Sequence, residues 1–142
     1  MLRAHAVPDP QPAEVGPVHR DFYDKQVLYT AGRTTLLDFD NISPGDPAQD
    51  VGNFLSHLDL RRMQHPGTGP EIASAGEAFC ESYGGQDRSF DRRVTWWQAA
   101  TSLRLAGLYA LRPRWHDLTL ELVEQCRRHL DTGARAVRME GR

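Results

Sequence analysis

Apolar residues recur at helical spacing through most of the chain after residue 46. Four stretches have apolar stripes at intervals of three or four residues, which predicts four amphipathic helices. They begin near Asp46, Pro70, Phe90 and His116 and end near Met63, Tyr83, Leu111 and Leu130. The stripes are Val51, Phe54, Leu55, Leu58; Ile72, Ala75, Phe79, Tyr83; Phe90, Val94, Trp97, Thr101, Leu105, Leu108; and Leu118, Leu122, Cys126, Leu130.

The segment before these helices has a different pattern. Two β-branched, apolar runs, Val27–Tyr29 and Thr34–Phe39, flank a short segment that contains Gly32. Glycine between two such runs indicates a tight turn, so the segment is predicted to form a β-hairpin. Residues 1–17 contain four prolines and no apolar periodicity, which predicts an irregular arm. The predicted fold class is therefore mainly α with one small β-hairpin.

Composition narrows the class of protein further. The chain has 142 residues, a net charge of -2, 39% hydrophobic and 25% charged residues, which fits one soluble domain. Because the charge is close to zero, we expect no nucleic-acid partner. No apolar run could span a bilayer and prolines interrupt the N-terminus, so we expect no membrane association and a cytoplasmic location.

Acidic residues stand at both ends of the predicted hairpin. Asp21 precedes the first strand and Asp38 ends the second. A tight hairpin brings its two ends together, so both carboxylates and the amide of Gln26 could converge on one place. Oxygen ligands of this kind suit Mg²⁺, and a nearby carboxylate can accept a proton from a hydroxyl group.

Three motifs follow one another in this region. His19-Arg20-Asp21 comes before the hairpin, Leu36-Leu37-Asp38-Phe39 ends it, and Gly45-Asp46-Pro47-Ala48-Gln49-Asp50 opens the first helix. This ordered set resembles the signature of the aminoglycoside phosphotransferase and choline kinase family, and its first two parts resemble the catalytic and metal-binding motifs of kinases. The motifs cover about a quarter of the chain, and a set in this order is far more specific than any single triplet.

The resemblance implies the C-terminal lobe of a protein-kinase-like fold that uses ATP and Mg²⁺ to phosphorylate a hydroxyl of a small molecule. The lobe would span residues 18–142, with the catalytic loop and metal hairpin at 18–50 and a helical subdomain at 46–131. The family has Asn at the position of Gln26. The implied roles are catalytic base for Asp21; structural for His19, Asp46 and Asp50; metal ligand for Asp38 and Gln26; and metal or substrate contact for Asp40.

Some alternatives stay open at this point. Asp46 also fits a plain helix N-cap. Trp96 lies off the apolar stripe of its helix and could line an acceptor pocket, whereas Trp97 fits the core. The acceptor itself is not readable, since the family phosphorylates hydroxyls on aminoglycosides, choline, sugars and homoserine.

The family's ATP-binding lobe has no counterpart in the 18 residues before His19. A kinase needs a lysine on a strand of that lobe. We therefore expect little phosphotransfer by the chain alone, and either a separately supplied lobe or self-association through exposed apolar groups. The other hypotheses are a truncated, inactive relative that acts as a binding module, and an unrelated helical protein whose acidic hairpin binds metal.

Overall fold

A computed structural model describes residues 15–83 and 87–140. The described residues fall into two compact units, 15–83 and 87–140. The first unit contains strands β1 to β4 and helices α1 (Ala48–Gln64) and α2 (Gly69–Tyr83), and the second contains α3 (Arg88–Ala110) and α4 (Leu118–Glu140). Single turns of 3₁₀-helix lie at Asp24–Gln26, Pro66–Thr68 and Pro113–Trp115. The mainly helical class and all four predicted helices are confirmed.

The predicted hairpin is also confirmed. Strand β2 (Val27–Thr30) pairs antiparallel with β3 (Arg33–Leu36), with Val27 opposite Leu36. Ala31 and Gly32 form the two-residue turn, and their φ angles are 49° and 77°. Positive φ at both turn residues matches the twist of the flanking strands, which is why such a turn closes a short hairpin.

A second pair of strands was not predicted. Strand β1 (Gly16–Val18) pairs antiparallel with β4 (Ser43–Gly45). Gly16 and Pro17 therefore belong to a strand and not to the irregular arm, whose residues 1–14 lie outside the described part of the chain. Three-residue strands that contain proline and glycine show no alternation of apolar and polar residues, so local pattern could not reveal this pairing.

The core of the first unit lies between β1, α1 and α2. Its most buried apolar side chains are Val18, Ala48, Val51, Leu58 and Leu60. Aromatic rings extend it, since Phe22 lies 5.3 Å from Phe54 and 5.9 Å from Phe79 between ring centroids. On the predicted inward face of α1, Val51 and Leu58 are buried and Phe54 and Leu55 are half-buried, whereas Leu60 is buried although it was not predicted. Helix α2 contributes through Phe79, although none of its residues is fully buried.

In the second unit α3 and α4 pack against each other. Leu105, Leu122 and Cys126 are buried between them, as predicted. Leu108 was expected on the same stripe but is 40% exposed, and Tyr109 is buried instead. A step of four residues after Leu105 reaches Tyr109, and a step of three reaches Leu108, so the helical period alone could not choose between them.

Helix α4 is longer than the sequence pattern predicts. It continues from Leu130 to Glu140, beyond the limit of residue 131 given to the helical subdomain. Five of the ten added residues are charged or carry a hydroxyl group, and the apolar residues that continue the spacing, Ala134 and Val137, are smaller than the leucines before them. An existing helix extends at little cost, because each further residue adds one backbone hydrogen bond. In the described part of the chain, no helix combines the length and apolar character needed to cross a membrane.

The turn of the β2–β3 hairpin gives a direct test of backbone conformation. Gly32→Ala should lower the free energy of unfolding by about 1 kcal/mol, because a side chain at positive φ is disfavoured even though nothing lies within 4 Å of the added Cβ. Urea denaturation measures the change. Gly67→Ala is the matched control, since that glycine also faces open space but has no positive φ. Equal effects of both substitutions would contradict the assignment of strain to Gly32.

Candidate active site

The predicted catalytic loop is held by the carboxylate of Asp50 in the first turn of α1. One carboxylate oxygen accepts the backbone N–H of His19 at 2.7 Å, and the other accepts that of Arg20 at 2.9 Å. Arg20 has a φ of 69°, a conformation that costs a non-glycine residue about 1–2 kcal/mol. Two charge-assisted hydrogen bonds offset this cost and fix the backbone just before Asp21.

His19 connects the catalytic loop to the end of the hairpin. The ring is buried, with 6% of the residue exposed, and its Nε2 donates a hydrogen bond of 2.7 Å to the carbonyl of Leu37. Because a carbonyl only accepts, Nε2 carries the hydrogen. The ring also contacts Phe39, at 5.3 Å between centroids. His19 therefore contacts the residues on both sides of Asp38.

Asp38 and Gln26 meet at the open end of the hairpin. Gln26 is 8% exposed, and its amide Nε2 donates a 3.3 Å hydrogen bond to Oδ2 of Asp38. The backbone carbonyl of Gln26 also accepts the N–H of Leu37 at 2.9 Å. Asp38 has a φ of 62°, a second conformation that non-glycine residues rarely adopt. The hairpin thus brings Gln26 and Asp38 together, with the amide nitrogen of Gln26 and not its oxygen toward Asp38.

The charges of Asp21 and Asp38 both affect the pKa of Tyr23. Partial burial raises the pKa of the Tyr23 hydroxyl, and the charges of Asp21, Asp24 and Asp38 raise it further, while Arg61 opposes them. Each of the two predicted functional carboxylates therefore lies within electrostatic reach of the Tyr23 hydroxyl. Within residues 15–83 and 87–140, no three His, Cys, Asp or Glu side chains are grouped so that they could hold a metal ion.

Asp46 lies where the β1–β4 pair joins α1. Its Oδ1 accepts the N–H of Ala48 at 3.1 Å, and its own carbonyl accepts the N–H of Gln49 at 2.9 Å. Pro47 occupies the N-cap position, so the helix begins one residue later than the sequence indicates. The carboxylate that caps the helix therefore comes from Asp46, the residue before the N-cap position.

Two further predicted site residues have surroundings that do not decide their role. Asp40 lies exposed in the loop between β3 and β4. Trp96 is half-buried in the second unit and packs edge-on against Trp97, with ring centroids 4.9 Å apart and an interplanar angle of 88°. The assignments of Asp40 to metal or substrate and of Trp96 to a pocket stay predictions.

Three polar residues of α1 that contact the loop, Asn53, His57 and Arg61, were not predicted as site residues. Together with Asp50, which was predicted, we call them the polar stripe. Beyond Asp50, the side chain of Asn53 donates to the carbonyl of Phe22 at 2.8 Å, His57 stacks on Tyr23 and Arg61 pairs with Asp24. The available signal was their spacing of three, four and four residues, which places them on one helix face. Polar residues at this spacing are also typical of a solvent-exposed helix face, so the spacing alone does not identify a contact surface.

Comparison with known proteins bears on this site. A family model described as the phosphotransferase enzyme family matches residues 1–94, about two-thirds of the chain. The chain belongs to the phosphotransferase enzyme family. The match includes the catalytic loop, the hairpin, α1 and α2, so the resemblance found in the sequence is confirmed and the hypothesis of an unrelated metal-binding protein is wrong. Searches of curated proteins and of solved structures return no match for this chain.

The free energy of unfolding of an Asp50 variant tests whether Asp50 anchors the loop. Asp50→Asn replaces one acceptor oxygen by an NH₂ group, which would face a backbone N–H. We expect the free energy of unfolding to fall by about 1–3 kcal/mol, the usual range for a lost hydrogen bond to a charged group. Chemical denaturation gives the value. Glu77→Gln, an exposed carboxylate on α2, should change it by less than about 0.5 kcal/mol. An Asp50→Asn variant as stable as the wild type would exclude the anchoring role.

Proposed function

We propose that this phosphotransferase transfers the γ-phosphate of ATP to a hydroxyl group of a small molecule, and that residues 15–83 form the catalytic part of a protein-kinase-like C-terminal lobe. The observation that supports this most is the pair of anchors around the two aspartates. Asp50 fixes the backbone before Asp21, and His19 fixes the carbonyl before Asp38. Phosphoryl transfer needs little covalent chemistry from the protein and depends on such positioning.

Asp21 is proposed as the catalytic base. It follows directly after Arg20, whose constrained backbone sets the direction in which the Asp21 side chain leaves the loop. It is half-buried, and its charge contributes to the raised pKa of the Tyr23 hydroxyl. A carboxylate there can orient the acceptor hydroxyl and take its proton as the phosphate is transferred.

Asp38 and Gln26 are the residues proposed to hold Mg²⁺. Asp38 is exposed at the end of the hairpin, so its carboxylate is accessible to a hydrated ion. Mg²⁺ is commonly bound by one or two carboxylates together with water and substrate phosphates, and the donor set fits that pattern. When bound, the ion would neutralise part of the phosphate charge. Gln26 would orient Asp38 through its NH₂, or present its oxygen after the amide turns over. Asp40 is close in sequence and is proposed as a further metal or substrate contact.

ATP binding is proposed to need a second protein surface. The sequence contains one lysine, Lys25, and it is exposed in the 3₁₀ turn before β2 and not on a strand facing a nucleotide. Apolar groups near the hairpin are also exposed, with Leu28 at 50%, Tyr29 at 74% and Phe39 at 48%. Leu28 and Tyr29 are neighbours on one strand and therefore lie on opposite faces of the hairpin, so each face presents an apolar side chain for contact with another surface. An ATP-binding lobe of the family or a second copy of the chain could supply that surface.

One observation favours a second candidate function. The amide nitrogen of Gln26 already donates a hydrogen bond to one carboxylate oxygen of Asp38. The family has the shorter Asn at the position of Gln26. A relative that retained the fold but lost metal binding would show this arrangement. It would act as a non-catalytic binding module.

Phosphotransfer itself decides between these functions. The purified chain is assayed for ATP consumption with a panel of hydroxyl acceptors, alone and with an ATP-binding lobe taken from a family member. We expect acceptor-dependent turnover when the ATP-binding lobe is present and little turnover by the chain alone. Asp21→Asn should lower the turnover of the combined form by roughly a hundredfold or more, the usual contribution of a general base. Turnover no higher than that of Asp21→Asn, in both forms and with every acceptor, would favour the binding module.

Magnesium affinity tests the metal ligands separately. By titration calorimetry, Asp38→Asn should abolish measurable Mg²⁺ binding and Gln26→Leu should weaken it, because each removes an oxygen or its orienting partner. Gln26→Asn should keep or improve the affinity, since Asn has the ligand length found in the family. Glu71→Gln, an exposed carboxylate on α2, is the control and should bind as the wild type does. Equal affinities of Gln26→Asn and Gln26→Leu would exclude Gln26 as a ligand.

A further inference from the structure

The members of the polar stripe of α1 contact successive parts of the predicted catalytic loop. Asp50 binds the backbone of His19 and Arg20, before Asp21. The other three members contact the chain after Asp21, in the same order along the helix as along the loop. Asn53 contacts Phe22, His57 contacts Tyr23 and Arg61 contacts Asp24. One helix face therefore contacts five of the loop residues 19–24, and Asp21 lies between two anchored segments.

Asn53 anchors the residue directly after Asp21. It is 3% exposed, and its Nδ2 donates to the carbonyl of Phe22 at 2.8 Å. A buried amide is costly unless it is hydrogen-bonded, so this side chain and this carbonyl stabilise each other in one geometry. The ring of Phe22 is packed at the same time against Phe54, the next residue on α1. Phe22 is thus held through both its backbone and its side chain.

Arg61 anchors the far end of the loop. Its Nε and Nη2 lie 2.9 Å and 2.7 Å from the same carboxylate oxygen of Asp24. The side chains of Arg61 and Asp24 are 27% and 30% exposed, so solvent screens the pair only in part. Between the two anchors, the ring of Tyr23 stacks on His57 with centroids 4.4 Å apart. Asp24 begins the turn that leads to Gln26, so the same pair also limits movement of the metal hairpin.

We infer that Asn53 and Arg61 are positioning residues, which act through the Phe22 carbonyl and the Asp24 carboxylate to fix the direction of Asp21. The inference rests on the proposed function of Asp21. An aspartate held only on its N-terminal side could rotate with the chain that follows it. Anchors on both sides remove that freedom, and misplacement of a reacting group by about 1 Å can lower a rate by roughly a hundredfold.

Arg61→Met tests the inference in the full-length chain, because it keeps much of the side-chain volume and removes the guanidinium group. Hydrogen exchange of the backbone amides of residues 19–26 should become roughly threefold to tenfold faster, the range expected from a partly exposed ion pair. Exchange in α3 and α4 should not change. Arg61→Lys keeps the charge but not the two-nitrogen contact, and should give an intermediate rate.

Arg62→Met is the matched control. Arg62 is the next residue on α1 and lies off the polar stripe. Its side chain is 55% exposed and forms an ion pair with Asp59 at 3.3 Å. In Arg62→Met the backbone amides of residues 19–26 should exchange at the wild-type rate. The inference is overturned if Arg61→Met leaves the loop rates unchanged, if Arg62→Met raises them equally, or if rates rise equally along α1 and α2, which would indicate a general loss of stability.

Asn53→Asp provides a second variant in case Arg61→Met does not fold. It replaces the donor NH₂ by an acceptor that repels the Phe22 carbonyl, so exchange of the same loop amides should again accelerate. Faster exchange in Asn53→Asp supports the inference, and unchanged exchange overturns it.

Kinetics separate positioning from a purely structural role. In the phosphotransfer assay, Arg61→Met should lower kcat about tenfold and leave the KM for ATP within about twofold. A rise in KM without loss of kcat would overturn the positioning role. If the wild type shows no more turnover than Asp21→Asn, the proposed function fails on that comparison, whereas the exchange rates still decide whether Asn53 and Arg61 fix the loop.

Discussion

The hydrogen bonds between the Asp50 carboxylate and two consecutive backbone N–H groups are the constraint on which the site depends. They hold Arg20 at a positive φ that the isolated chain would avoid. That conformation determines where the next residue, Asp21, points. Because Asp50 lies in the first turn of α1, and Asp46 caps the same helix, the position of the loop follows from where the helix begins.

The same constraint extends to the second aspartate through His19. Its backbone is held by Asp50 while its ring binds the carbonyl before Asp38, so one residue couples the loop to the hairpin. The β1–β4 pair supports this arrangement, because Val18 is fully buried and a side chain at Gly45 would lie 3.1 Å from it. The carboxylates of Asp21 and Asp38 are therefore placed by a continuous set of contacts and not by the hairpin alone.

Elements with a strong local pattern were predictable. The four helices follow from apolar residues at helical spacing, and the β2–β3 hairpin follows from Gly32 between two β-branched runs. The β1–β4 pair was not predictable, since its strands are short, contain proline and glycine, and lie about 25 residues apart, where pairing depends on packing and not on propensity. The exposure of Leu108 likewise depends on which neighbours the surface of α3 meets.

For the site, the sequence by itself determined which chemical groups are available and, through the order of three motifs, the family to which the chain belongs. Such motifs are readable because each needs particular residue types at short, fixed spacing. Only the tertiary structure decided how those groups are held. The bonds from α1 to the loop join residues about 30 positions apart, as between His19 and Asp50 or Phe22 and Asn53. Their partners are brought together by packing of a whole helix, which no local pattern encodes.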